Sequence, residues 1–125
     1  MTLIIILGHG KYASGLKSNL AMLLGELEHF KYVDFLIDDS KEKLNEKIDK
    51  AINNHEGDIL FICDLAGGTP FREACLRKVE NPNYEVIAGV NTAGIAEIAY
   101  LDEPASVLAD LAVNAGKEAT IKFEI

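Results

Sequence analysis

The run Leu3-Ile4-Ile5-Ile6-Leu7 constrains this chain more than any other segment. Consecutive apolar residues do not suit a half-exposed strand, whose side chains alternate between core and water. They suit a strand buried on both faces, as in a parallel sheet covered by helices. The run predicts a strand over residues 2–8 and closes on Gly8-His9-Gly10. An imidazole at that place is informative, because open α/β sheets bind ligands at the carboxyl ends of their strands. There it can act as a nucleophile, a general base or a metal ligand, and a capped turn histidine is the plain alternative.

The rest of the chain alternates in the same style. Helical spacing of Leu16, Leu20, Leu23, Leu24 and Leu27 predicts a helix over 13–27, and 32–37 reads as a second strand. Asp39 and Glu42 form a capping-box pattern before a helix that turns Leu44, Ile48 and Ile52 inward and ends at Gly57. A third apolar strand, 58–63, runs into Asp64-Leu65-Ala66-Gly67-Gly68-Thr69-Pro70-Phe71, where Thr69 as N-cap and Pro70 start a helix reaching about Val79. A fourth strand spans 84–88, and two helices follow over 92–102 and 104–115, with Gly116 closing the second. Four strands separated by helices imply right-handed crossovers and a doubly wound, mainly parallel α/β sheet. Residues 119–125 alternate apolar and polar instead, the mark of an edge strand, in the chain itself or in a neighbour.

The 125 residues fit one domain, 1–125. Hydrophobic content of 49% with 26% charged residues argues against disorder, and a net charge of −8 disfavours nucleic acid and anionic membranes as partners. The first apolar run is too short to span a bilayer and lacks a basic start, so a cytoplasmic location without membrane insertion is expected. Cys63 and Cys75 read as small core residues, not as a disulfide or zinc motif. His29 and His55 fall near helix ends and read as surface residues, with no spacing that would make a metal site with His9.

Three loops meet at the carboxyl edge of such a sheet: Gly8 to Gly10, Asp64 to Pro70, and Gly89 to Asn91. If the strand order is 2-1-3-4, His9 and Asp64 face each other across the switch point. A carboxylate there accepts one ring N–H, sets the tautomer and leaves the other nitrogen free to attack. Gly67 and Gly68 let backbone come close to a ligand, and the helix start at Thr69 offers unpaired N–H groups that seat a phosphoryl group.

In these residues the chain resembles the mannose-type enzyme IIA component of the bacterial sugar phosphotransferase system. Gly8-His9-Gly10, the block Asp64 to Phe71, and Glu85-Val86-Ile87-Ala88-Gly89-Val90-Asn91 carry the resemblance, in order and over essentially the whole chain. It implies strand order 2-1-3-4 and a phosphoryl group that His9 takes from phospho-HPr and passes to a histidine of the cognate enzyme IIB. Asp64 would hold Nδ1, and Nε2 would carry the phosphate. It also implies a homodimer that exchanges the C-terminal strand 119–125, antiparallel, between subunits. No cofactor or metal is implied.

The chain departs from the family pattern at two places. Many members carry Asn where this chain has Arg72, a longer charged residue that would touch the phosphate, bear on docking or face solvent. Many carry Pro-Met where it reads Thr92-Ala93-Gly94, which puts the loop beyond Asn91 in question. Phe71, Arg72 and Asn91 are candidates for a docking rim, with core packing the alternative for Phe71. Tyr12 is placed between docking and packing, and Asp38 and Asp39 read as helix caps.

Three other functions compete. A phosphotransfer subunit serving dihydroxyacetone kinase is disfavoured by the Gly67-to-Phe71 block. A flavodoxin-shaped nucleotide or small-molecule binder would need a Gly-x-Gly-x-x-Gly or a Walker lysine in the first loop, which has neither. A metal hydrolase built on His9 and Asp64 lacks further ligands.

Overall fold

In the computed structural model, which describes all residues 1–125, four parallel strands form one sheet. They are β1 (Leu3–His9), β2 (Phe30–Phe35), β3 (Ile59–Cys63) and β4 (Tyr84–Ala88). The helices are α1 (Tyr12–Leu24), α2 (Lys41–Ile52), α3 (Gly68–Glu80), α4 (Thr92–Ile98) and α5 (Ala105–Ala119). The strand order is β2-β1-β3-β4, so β1 and β3 are neighbours although a whole β-α unit separates them in sequence.

The continuous apolar runs are there because both sheet faces are covered. Ile4 and Ile6 of β1 pack with Leu60 and Ile62 of β3 against α1, α4 and α5. Leu3, Ile5 and Leu7 pack with Ile59, Phe61 and Cys63 against Leu44 and Ile48 of α2 and Ala74 of α3. A fully buried Leu or Ile contributes about 1.5–3 kcal/mol relative to exposure, so these two central strands supply much of the core. Cys63 lies fully buried in the sheet and burial pushes its thiol up to about 12, whereas Cys75 is half-buried on α3.

Several boundaries differ from the sequence expectation, each for a local reason. α1 ends at Leu24, not Leu27, because Gly25 at φ 81° turns the chain and its N–H bonds to the Ala21 carbonyl. β2 begins and ends two residues earlier than expected. Asp39 draws the chain into a turn by accepting the Leu36 N–H at 2.9 Å, while its own N–H donates to the Leu36 carbonyl. Leu36 and Ile37 are therefore exposed loop residues. That bond also takes Asp39 out of a capping box, and Ser40 caps α2 by accepting the Lys43 N–H at 3.0 Å.

α2 stops at Ile52 with Asn53 as its C-cap, well before Gly57, and α4 starts at Thr92 as expected but ends at Ile98, short of residue 102. α5 runs through Gly116 to Ala119. Gly116 is an interior position kept small by packing, since a Cβ there would lie 3.2 Å from both Asn91 Oδ1 and Val90 Cγ1. Residues 120–125 form no strand within this chain, and Ile121, Phe123 and Ile125 are exposed. His29 is not a solvated surface group: its Nε2 is buried without a partner and its ring packs edge-on to Phe30. No helix is long and apolar enough to cross a membrane.

Candidate functional site

β1 and β3 end side by side, with Leu7 paired to Cys63, so the next residues of each strand emerge together at the carboxyl edge. That adjacency brings His9 and Asp64 into contact. The Asp64 Oδ2 accepts the His9 backbone N–H at 2.9 Å and lies 2.8 Å from His9 Nδ1. Its other oxygen accepts the Leu65 N–H at 2.9 Å. An ionised carboxylate only accepts hydrogen bonds, so Nδ1 carries the proton and the lone pair of the neutral ring lies on Nε2. Burial pushes the Asp64 carboxyl upward, but the bonds from the His9 backbone, the His9 ring and Leu65 outweigh it and hold the pKa below the usual carboxylate range.

The Asp64 side chain is only 12% exposed, whereas that of His9 is 45% exposed. The carboxylate is thus sheltered and the ring is presented. Gly8 permits this contact, because a Cβ there would lie 2.9 Å from Asp64 Cβ and Cγ and 2.6 Å from Tyr12 Cδ2. Tyr12 fills the space beneath. Burial, reinforced by the Asp64 charge, pushes its phenol pKa up, which keeps it neutral.

The far edge of the ring, Cε1 and Nε2, meets the start of α3. Gly67 caps this helix at φ 127°, and Gly68, its first residue, has φ 75°. A Cβ on Gly68 would lie 2.9 Å from His9 Cε1 and 3.0 Å from Nε2. The glycine is needed for the imidazole itself, not only for a ligand. Helix α3 therefore starts one residue before Thr69, which is no N-cap: no side chain caps α3. The first-turn N–H groups of Gly68 and Thr69 have no intrahelical acceptor, and Pro70 has no N–H at all.

The expected rim residues separate. Phe71 packs against the core between sheet and α3, as in the packing alternative. Arg72 stands exposed on the first part of α3. Asn91 is occupied structurally: its Oδ1 caps α4 through the Gly94 N–H at 3.0 Å, and its Nδ2 donates to the Gly116 carbonyl at 2.9 Å and Thr120 Oγ1 at 3.0 Å. It ties α4 to the end of α5 and is no free rim residue. Two site residues escaped the sequence reading. Phe35 pairs with His9 in the β1–β2 register and sets its ring edge-on to the imidazole at 6.0 Å. Asp34 accepts the Ser14 N–H at 2.9 Å and so anchors the start of α1 behind the histidine loop. The parallel register of β2 was the missing signal. No group of three His, Cys, Asp or Glu side chains is placed to hold a metal ion.

Fold and site together define a doubly wound α/β protein with an oriented, half-exposed histidine at the switch point of its sheet. Residues 3–113 match the EIIA-man family, described as PTS system fructose IIA component. The chain belongs to that family of the sugar phosphotransferase system. It is 38% identical over 125 residues to the mannose-specific EIIAB component of Escherichia coli K12, covering 94% of this chain and 38% of that protein. The chain thus spans well under half the length of that relative. It is 32% identical over 105 residues to the fructose-specific EIIA component of Bacillus subtilis, covering 82% of this chain and 72% of that protein. Among solved structures, the mannose/sorbose-specific IIA subunit from Enterococcus faecalis superposes with a TM-score of 0.90 at 25% identity, covering 99% and 96% of the two chains.

Proposed function

We propose that His9 Nε2 accepts a phosphoryl group from phospho-HPr and hands it to a histidine of the cognate enzyme IIB, during uptake and phosphorylation of a sugar. The observation that carries this is the 2.8 Å contact between His9 Nδ1 and Asp64, which sets the tautomer of the neutral ring so that Nε2 is its nucleophilic nitrogen, on an exposed side chain. In the first step the Nε2 lone pair forms an N–P bond as the donor's N–P bond breaks, and the donor nitrogen keeps that electron pair. The imidazole becomes cationic, and Asp64 offsets the charge through the Nδ1–H bond. In the second step the acceptor histidine repeats the attack and His9 leaves with its lone pair restored. The free N–H groups of Gly68 and Thr69 bind the phosphoryl oxygens, helped by the dipole of α3, and Gly67 shapes the turn that aims them.

Neither step requires a cofactor or metal, and the reactants are proteins, which suits a histidine on an open rim. Residues 1–125 act as one IIA domain in the cytoplasm. The alternating apolar side chains of Ile121, Phe123 and Ile125 are exposed in the single chain, which supports a homodimer in which this segment pairs antiparallel with the partner's sheet. The test is incubation with phosphoenolpyruvate, enzyme I and HPr, followed by intact mass. One acid-labile phosphate is expected in the wild type and none in His9→Ala; labelling that survives the substitution rejects the assignment.

A further inference from the structure

We infer that Arg72 is a phosphate-binding residue, its guanidinium reaching over the first turn of α3 to the phosphoryl group on His9 Nε2; this rests on the assignment of His9 above. The ring sets the geometry. A Cβ on Gly68 would fall 3.0 Å from Nε2, so the reactive nitrogen faces that residue's side of the helix. Gly68 and Arg72 are four apart in α3, which places them one above the other on a single face. Long helical side chains lean towards the N-terminus and cover the turn before their own Cα. Arg72 therefore overhangs the turn that Nε2 faces. The opposite side of α3, with Pro70, Glu73 and Ala74, is buried against the protein.

The guanidinium is also unengaged. Arg77, on the same helix, is held by Asp49 Oδ1 at 2.8 Å and Asn45 Oδ1 at 3.0 Å. Arg72 is exposed and has no carboxylate or carbonyl partner, in a chain with 20 acidic and 12 basic residues. An unpaired arginine thus stands one turn along α3 from Gly68, the residue that meets the His9 ring.

Charge at the site creates a use for it. A phosphoryl group brings between one and two negative charges close to the Asp64 carboxylate, and the protonated ring offsets one of them. The first turn of α3 is a donor short because Pro70 has no N–H. A guanidinium supplies two parallel donors and a full positive charge, which stabilises both the phosphorylated ring and the loose transition state of its formation. Arg72 makes and breaks no covalent bond in either step.

Phosphoramidate, a small histidine-phosphorylating reagent, tests this on the full chain without partner proteins. Intact mass follows the rate, and the Arg72 Nε–H resonance is followed by ¹⁵N-resolved NMR. Wild type is expected to be phosphorylated at His9 with a shift of that resonance. Arg72→Ala should react about tenfold more slowly, the worth of one charge-assisted contact. Arg72→Lys should recover part of the rate as a point charge, and the gap should narrow at high salt. If His9 is phosphorylated, the resonance stays fixed and Arg72→Ala reacts as fast as wild type, Arg72 has no such role while His9 keeps its own. If wild type takes no phosphate on His9, both assignments fall.

Discussion

Gly68→Ala separates two costs that usually come mixed, because Gly89 provides its control. Both glycines have φ 75°, a conformation that costs an L-residue roughly 1–2 kcal/mol. A Cβ on Gly89 meets nothing within 4 Å, whereas one on Gly68 meets His9 Cε1 at 2.9 Å and Nε2 at 3.0 Å. Ordinary contact begins near 3.4 Å, so the ring must retreat by several tenths of an ångström. It can do so, since the His9 side chain is 45% exposed. The clash is then relieved by moving the ring off its Asp64 bond, with little further loss of stability. Both variants should lose similar stability, about 1–2 kcal/mol, or roughly 3–10 °C in Tm for a domain of this size. Reactivity should split them: an ångström of misplacement costs up to about 100-fold, so Gly68→Ala should accept phosphate 10- to 100-fold more slowly and Gly89→Ala near the wild-type rate. Thermal melts and phosphoryl transfer from phospho-HPr measure the two quantities. Equal transfer rates in the two alanine variants would refute the claim that His9 is positioned against α3.

Other outcomes follow from the same geometry. Asp64→Asn should keep the fold and slow transfer by about 100-fold or more, because an amide can favour the wrong ring tautomer; unchanged stopped-flow transfer would count against the orienting role. The Asp64 carboxyl is held below its ordinary pKa, so its stabilisation is present above about pH 4 and lost as pH falls through the depressed value. Urea midpoints of wild type and Asp64→Asn should therefore converge in acid. Burial pulls the His29 pKa down, against the opposing pull of the Ala99 carbonyl and Asp102, with the N-terminal ammonium adding to the lowering. The unfolded chain then takes up the proton first, so stability should fall as pH drops below about 6.5, and His29→Gln should lack that component. A chain ending at Thr120 keeps the Thr120–Asn91 bond and loses the apolar tail; sedimentation should show it as a monomer, and an undiminished dimer would exclude strand exchange.

The parts of this fold visible in the sequence were those governed by periodicity. The runs at Ile4 and Ile59 declared buried strands because nothing else tolerates so many adjacent apolar residues, and the strand order followed from a resemblance that the sheet bears out. Periodicity misled where apolar residues lie outside the core. Leu36 and Ile37 extended the apparent β2, but an Asp39 bond ends it. Thr69 has the residue type of a cap, yet the ring of His9 requires a glycine at the helix start, and the cap lies two residues earlier, at Gly67. Phe35 was beyond reach, since its contact with His9 depends on inter-strand register rather than on any local signal.

In the proposed transfer, Asp64 holds Nδ1 so that Nε2 does the chemistry. ¹⁵N-resolved NMR of the imidazole in the phosphorylated protein tests it directly. Phosphorus coupled to His9 Nε2, with a proton retained on Nδ1, is the predicted result. Phosphorus on Nδ1 would break the Asp64 bond and rule out Nε2 as the acceptor.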